Sequence, residues 1–313
     1  MPKRFKIVFM GTPEFSVPYL KSLIDSDLFK VAAIITQPDK PKGRKQIIAP
    51  PPIKVLAKKY NLEILQPEKL KNNRGIIASL KKIEADLMVV AAYGQIIPEE
   101  ILELTKLGNI NVHPSLLPKY RGASPIQNAI LNNESATGLT IMLMDKAMDH
   151  GPILAQKEIA LASNETNESL HQKLSSEFGT EFLLETLEKF INRKIEPQPQ
   201  DDNQATYCKL ITKNEAKINW QDPAKNISAK IRAFYPWPIA WAILNGQRVK
   251  IFPPVEIISE SAESGKIFSK NKKLAVGCQD NSLIIDELQI EGKNKVTGHD
   301  FLLGNNIVGK FFE

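Results

Sequence analysis

The sequence predicts an α/β fold in which a mostly parallel sheet, covered by helices on both faces, precedes a smaller β-barrel or sandwich. Two observations carry this. Over the first 165 residues, apolar runs of strand length alternate with helical stretches, the pattern of a sheet buried on both sides. After about residue 205 the texture changes to short strand-like segments punctuated by Gly, Asn and Pro.

Taken in order, Phe5–Met10 is the first strand, followed by a Gly11-Thr12-Pro13 turn and a helical stretch through Leu20 and Leu23. Val31–Thr36, Leu87–Ala92 and Asn109–His113 are further buried strands, with helical segments at Ile53–Lys59 and Glu68–Ile83 between them. Thr137–Met144 reads as another strand. From Thr166 to Ile191 the apolar residues Leu170, Leu174, Phe178, Phe182, Leu183, Leu187 and Ile191 recur about every four positions. That spacing predicts one face of a single long helix, with Thr166 as its N-cap and Glu168 in its first turn. Residues 196–206 are polar, carry two prolines near their start and offer nothing to bury, so they read as a linker between domains 1–195 and 207–313. Beyond it come a helix at Pro223–Phe234 and strands at Ala240–Leu244, Arg248–Phe252, Leu274–Val276 and Ser282–Ile290.

At 313 residues the chain can bury a core in each of two domains. Hydrophobic residues at 42% and charged residues at 24% exclude a disordered chain. No apolar stretch approaches the ~18–20 residues of a bilayer span, and Ile7–Met10 is too short for a secretory core, so a cytoplasmic protein is expected. Cys208 and Cys278 form neither a disulfide framework nor a CxxC pair. Residues 1–208 carry 26 Lys+Arg against 24 Asp+Glu, and residues 209–313 carry 15 against 11. The basic C-terminal part points weakly to a polyanionic partner.

Gly11-Thr12-Pro13 stands where a dinucleotide-binding fold places GxGxxG, but one glycine followed by proline excludes an ordinary nicotinamide site. The informative segment is Asn109–Pro125. Asn111 and His113 lie two apart at a strand end, so both side chains leave on one face. An amide beside an imidazole can hold a carbonyl oxygen as it gains charge, and the ring can exchange protons near neutral pH. Asp149, in the turn Asp149-His150-Gly151-Pro152, supplies a carboxylate that can orient His113 or relay a proton from an attacking amine. The loop Ser115-Leu116-Leu117-Pro118 offers apolar groups for a flat ligand. His113 and Asp149 taken singly are more often a structural strand-end histidine and an ordinary turn acid, and it is their combination with Asn111 and the crevice-lining loop that reads as catalytic. His150 and His171 read as surface and boundary residues, His299 has no evident partner, and no residue cluster has metal-ligand spacing, so no metal is expected. Lys40, Lys42, Arg44 and Lys45 form a basic loop after the second strand, either a solvated surface loop or an arm for a nucleic-acid backbone.

Through Asn111-Val112-His113, Ser115–Pro118 and the aspartate turn at Asp149, the chain resembles the formyltetrahydrofolate-dependent formyltransferases. Further segments, Phe9–Pro18, Gln37–Lys45, Ala205–Tyr207, Ile218–Trp220 and Ile231–Pro238, are similar to the members that act on an aminoacyl-tRNA. The resemblance spans essentially the whole chain. It implies a Rossmann-like catalytic domain joined to an oligonucleotide-binding-like β-barrel, 10-formyltetrahydrofolate as donor and initiator methionyl-tRNA as acceptor. It implies Asn111, His113 and Asp149 as catalytic residues, Ser115, Leu116, Leu117 and Pro118 around the folate, and Lys40, Lys42, Arg44 and Lys45 on the tRNA. His150 departs from the small or acidic residue common at that place in the turn. A monomer is expected. The rival readings are a formyltransferase for a nucleotide-linked amino sugar, which the basic loop and basic C-terminal part disfavour, and a non-catalytic RNA-binding protein, which the intact Asn111–His113–Asp149 set disfavours.

Overall fold

The computed structural model of the chain describes residues 4–43 and 46–313. In chain order the first elements are β1 (Phe5–Gly11), α1 (Ser16–Asp25), β2 (Phe29–Ile35), β3 (Lys40–Lys42), β4 (Ile47–Ala49), α2 (Pro52–Lys59) and β5 (Glu63–Leu65). Then come α3 (Arg74–Ile83), β6 (Leu87–Ala91), α4 (Glu99–Leu102), β7 (Asn109–His113), β8 (Arg121–Gly122), α5 (Pro125–Leu131), β9 (Ala136–Leu143) and β10 (Ile153–Ala160). Next are α6 (Asn167–Leu174), α7 (Glu177–Ile191), β11 (Tyr207–Cys208) and α8 (Ala224–Ala233).

The main sheet runs β10-β9-β7-β6-β1-β2-β5, and β1, β2, β5, β6 and β7 are mutually parallel. Alternation along β1 explains why both faces are covered. Val8 and Met10 pack with Met88, Val90, Ile76 and Leu80 on the α3 side, while Ile7 and Phe9 are buried on the other, where α1 contacts β1 and β2. The chain leaves β1 for β2 and β5, then returns to build β6 and β7 on the other side, so the strand order switches at β1. In such sheets ligands enter at the carboxyl ends beside the switch, where β1, β6 and β7 end at Gly11, Ala91 and His113.

The expected single helix over 166–191 is two, α6 and α7. Its periodicity is real, but Tyr19 Oη donates to Leu174 O at 2.7 Å, and Gly179 lies so close that a Cβ there would meet the same oxygen at 2.0 Å. A carbonyl satisfied from outside needs no continuing helix, and the Ser175 and Ser176 hydroxyls turn back onto His171 O and Lys173 O. Thr166 does cap α6, accepting from Ser169 N at 3.1 Å. The basic segment, read as a loop, contains a hairpin that pairs Lys40 with Ala49 and Lys42 with Ile47.

Contacts divide the chain into two units that are not simply its two halves. Residues 1–122, 138–159 and 171–207 form one, and 123–137, 160–170 and 208–313 the other. In the second, α5 packs on α8, which groups 123–137 with the C-terminal part, and Arg232 Nη1 donates to Glu165 O at 2.9 Å from the segment 160–170. The sheet there runs β12 (Trp241–Leu244), β13 (Gln247–Ile258), β16 (Ser282–Ile290), β15 (Lys273–Gly277), β14 (Ile267–Lys270), with β17 (Val296–Thr297) beside β16 and α9 (Gly298–Gly304) following. Neighbouring strands in it pair antiparallel, β12 with β13, β13 with β16, β16 with β15, β15 with β14 and β17 with β16. The chain's last residues bond to both edges: Ile243 and Glu313 exchange backbone hydrogen bonds, and Ile267 N donates to Lys310 O at 2.8 Å. The curled sheet thus approaches a closed barrel around Trp220, Ile231, Ile251, Leu274 and Phe312.

Candidate active site

The end of β7 is fixed by its neighbours. Asn111 pairs with Met142 and His113 with Thr140 on antiparallel β9, so the two functional side chains share the face that the strand period predicts. His113 is buried at 3% exposure. Its Nε2 lies 2.9 Å from Tyr120 O, and since a carbonyl only accepts, Nε2 carries the proton of that bond. Nδ1 then faces Asp149 Oδ1 at 3.7 Å, too long for a hydrogen bond but close enough for the carboxylate to act on the ring.

Asp149 reaches the ring from the β9–β10 loop. Leu143 N donates to Pro152 O at 2.9 Å to close that loop, and a Cβ on Gly151 would meet Leu143 O at 2.0 Å, so glycine permits the closure. Asp149 has φ +50°, a left-handed conformation that aspartate tolerates better than most residues. Its Oδ1 accepts from Asn111 Nδ2 at 3.2 Å and its Oδ2 from Gly122 N at 2.9 Å. Asn111, His113 and Asp149 are therefore brought together, with the carboxylate within reach of both the amide and the imidazole.

The loop after β7 is pinned. Ser115 Oγ donates to Lys119 O, Thr140 Oγ1 donates to Ser115 O, and Gln156 Nε2 donates to Leu117 O, each at 2.7 Å. Ser115 and Leu117 are buried, whereas Leu116 and Pro118 are partly exposed. Of the four residues expected around the folate, Ser115 through its hydroxyl and Leu117 through its backbone hold the loop, and the side chains of Leu116 and Pro118 are the more exposed.

Lys40 is exposed and bonds Gln37 Oε1 at 3.1 Å. The Lys42 side chain, Arg44 and Lys45 lie outside the described residues. His150 is half-exposed, with Nδ1 2.7 Å from Asp145 Oδ2 and Nε2 3.4 Å from Asp202 Oδ2. The hydrogen bond to Asp145 raises its pKa above the usual histidine value. His171 packs edge-on against Phe15 and burial lowers its pKa, and His299 Nδ1 meets Lys272 O.

Two residues were not visible as site residues in the sequence. Arg121, 1% exposed, forks onto Gln200 Oε1 with Nε at 3.0 Å and Nη2 at 2.8 Å, and Nη2 also meets Asp202 Oδ1 at 2.8 Å. Gln200 in turn donates to the carbonyls of Asp149 and Gly151. Gln198, Gln200, Asp202 and Thr206 thus bond the segment to β10, to the 149–151 turn and to residues 118–121, beginning with the paired exchange between Gln198 and Ile153. The signal available in the sequence was the run of amide and carboxylate side chains there, which reads equally as solvent-facing.

The sequence matches the formyl transferase family model over residues 4–187 and that family's C-terminal domain over 210–306. It is 44% identical to a methionyl-tRNA formyltransferase of Caldanaerobacter subterraneus subsp. tengcongensis, covering 96% of this chain and 97% of that one. It is 42% identical to a methionyl-tRNA formyltransferase of Staphylococcus aureus, covering 97% and 98%. Among solved structures it resembles WlaRD, a sugar 3N-formyl transferase, with TM-score 0.67 at 23% identity over 93% of this chain and 100% of that one. HypX from Aquifex aeolicus in complex with tetrahydrofolic acid gives TM-score 0.63 at 17% identity over 96% of this chain and 47% of that one. These two likenesses establish the fold. The full-length sequence matches establish more: the chain belongs to the formyl transferase family, among the methionyl-tRNA formyltransferases.

Proposed function

We propose that the chain moves the formyl group of 10-formyltetrahydrofolate onto the α-amine of initiator methionyl-tRNA, giving formylmethionyl-tRNA for translation initiation, as a cytoplasmic monomer. No helix among the described residues is long and apolar enough to cross a membrane. The observation that carries the chemistry is the meeting of Asn111, His113 and Asp149 at the carboxyl end of β7. The near end-to-end match to relatives bearing that name supports the acceptor.

The residues suit a formyl donor. Asn111 Nδ2 has a second hydrogen beyond the one given to Asp149, and His113, when it carries a proton on Nδ1 as well as on Nε2, donates from Nδ1, so both can hold charge on the formyl oxygen. Leu116 and Pro118 offer apolar surface to a flat ring system. As the amine nitrogen bonds to the formyl carbon, Asp149 takes the amine's proton, and the Asp149–His113 pair passes a proton to the departing folate nitrogen as its bond to that carbon breaks. Atoms and charge balance without a further reactant. Residues 1–195 act as the catalytic domain, 196–206 as the connection and 207–313 as the tRNA-binding domain, with Lys40, Lys42, Arg44 and Lys45 on the tRNA backbone. The deciding experiment offers 10-formyltetrahydrofolate with methionyl-tRNA and a nucleotide-linked amino sugar as competing acceptors. Formylation of the tRNA is expected, and exclusive formylation of the sugar overturns the proposal.

A further inference from the structure

Asp149 holds an unusual backbone for a residue that must present a carboxylate accurately. With φ at +50°, its carbonyl and that of Gly151 turn to the same side of the loop. Both are met by a single group: Gln200 Nε2 donates to Asp149 O at 2.9 Å and to Gly151 O at 2.8 Å, using both of its amide hydrogens. The other end of that amide is fixed as firmly. Gln200 Oε1 accepts from both Nε and Nη2 of Arg121, so the amide cannot flip without setting N–H against N–H. Arg121 is held by Asp202 and by Tyr207 Oη at 3.2 Å, and its backbone N donates to Thr206 O at 2.8 Å.

A guanidinium that is 1% exposed is costly to bury, and here both Nε and Nη2 donate to one glutamine, with Asp202 and Tyr207 as further partners. We infer that Gln200, oriented by the buried Arg121, is a positioning residue that fixes the left-handed turn at Asp149 and so aims its carboxylate at Asn111 and His113. This rests on the role given to Asp149 above. It assigns residues 196–207 a part in the chemistry that a connecting segment would not have.

Gln200→Glu isolates the function. The carboxylate still accepts from Arg121, so the buried cation keeps its partner, but it has no hydrogens for the Asp149 and Gly151 carbonyls and repels them. Misplacing a reacting group by about 1 Å can cost roughly 10²-fold. Formyl transfer to methionyl-tRNA is measured for the wild type, Gln200→Glu, Asp149→Asn and the double variant, with KM for both substrates and the melting temperature. The expected result for Gln200→Glu is a kcat lowered about 10–100-fold, with KM values and melting temperature close to wild type. The double variant should be no slower than Asp149→Asn alone, because the two residues act as one unit. Gln200→Asn, too short to span both carbonyls, serves if Gln200→Glu fails to fold, and the same kcat loss is expected of it. Wild-type kcat in Gln200→Glu beside an inactive Asp149→Asn overturns the positioning role alone, as does an additive double variant. An active Asp149→Asn overturns the role of Asp149 itself, and the positioning role with it.

Discussion

Replacing Asp149 by asparagine tests the site with almost no change of shape. The carboxylate accepts from two donors on opposite oxygens, Asn111 Nδ2 at 3.2 Å and Gly122 N at 2.9 Å. An asparagine has one oxygen, so in either orientation its NH₂ faces one of these donors. A hydrogen bond to a charged group contributes about 1.5–3 kcal/mol, and one such bond is lost. The larger effect is chemical, since a neutral amide cannot take the proton of the attacking amine. General-base removal lowers rates by about 10²–10⁴-fold, so kcat should fall within that range while folate affinity, set elsewhere in the site, holds. The assay is single-turnover formyl transfer to methionyl-tRNA across a pH series, with a melting curve as control for folding. A near wild-type rate with an unchanged pH profile would remove Asp149 from the mechanism, leaving it as the orienting partner of Asn111 and Gly122.

Tyr19→Phe should destabilise the protein by about 1–3 kcal/mol, because Leu174 O loses its buried donor where α6 ends; unchanged denaturant midpoints would show that the helix break is set by Ser175 and Gly179 instead. Gly151→Ala forces a Cβ toward Leu143 O at 2.0 Å, so kcat should drop about 10²-fold through displacement of Asp149, and a fully active variant would mean the loop tolerates opening. Asp280 Oδ1 accepts from Ala224 N at the start of α8, and that bond lowers its pKa. The stability it contributes is present above the ordinary aspartate value near ~4 and is lost as pH falls through its lowered one, so Asp280→Ala should melt earlier than wild type at neutral pH and converge with it in acid. If Arg44 contacts tRNA phosphates, Arg44→Ala should flatten the salt dependence of kcat/KM for methionyl-tRNA and leave folate binding alone; equal salt slopes would place the loop outside the interface.

Legibility in the sequence followed the range of the physics involved. Strands β1, β2 and β6 were readable because a sheet buried on both faces demands apolar runs of strand length such as Leu87–Ala91. Asn111 and His113 were readable because the two-residue strand period places them together whatever the surroundings. The break at Ser175–Ser176 was not, because it depends on Tyr19, 155 residues away in the chain, supplying a donor to Leu174 O. β14 and α9 were missed for a related reason: their short, mixed segments are ordered by edge pairing with β15 and by packing of Phe301 into the core rather than by their own patterns.

The segment 196–206 shows where such reading ends. Its polarity offers nothing to bury, and apolar burial is the anchoring that a sequence displays most openly. It is held by polar pairing instead. Gln198 pairs with Ile153, Gln200 with Asp149, Gly151 and Arg121, and Asp202 with Arg121 and His150. Each partner lies 45 or more residues earlier in the chain, so no local pattern announces it. A buried arginine needs such partners, and Arg121 lies within the informative segment Asn109–Pro125, between Tyr120, whose carbonyl fixes the His113 ring, and Gly122, whose N–H fixes Asp149. Three consecutive residues thus each hold a different member of the site: the ring, the carboxylate and the strap behind it. A polar strap is built here at the cost of burying a charge, and the consecutive residues Tyr120, Arg121 and Gly122, leading into and forming β8, serve all three members at once.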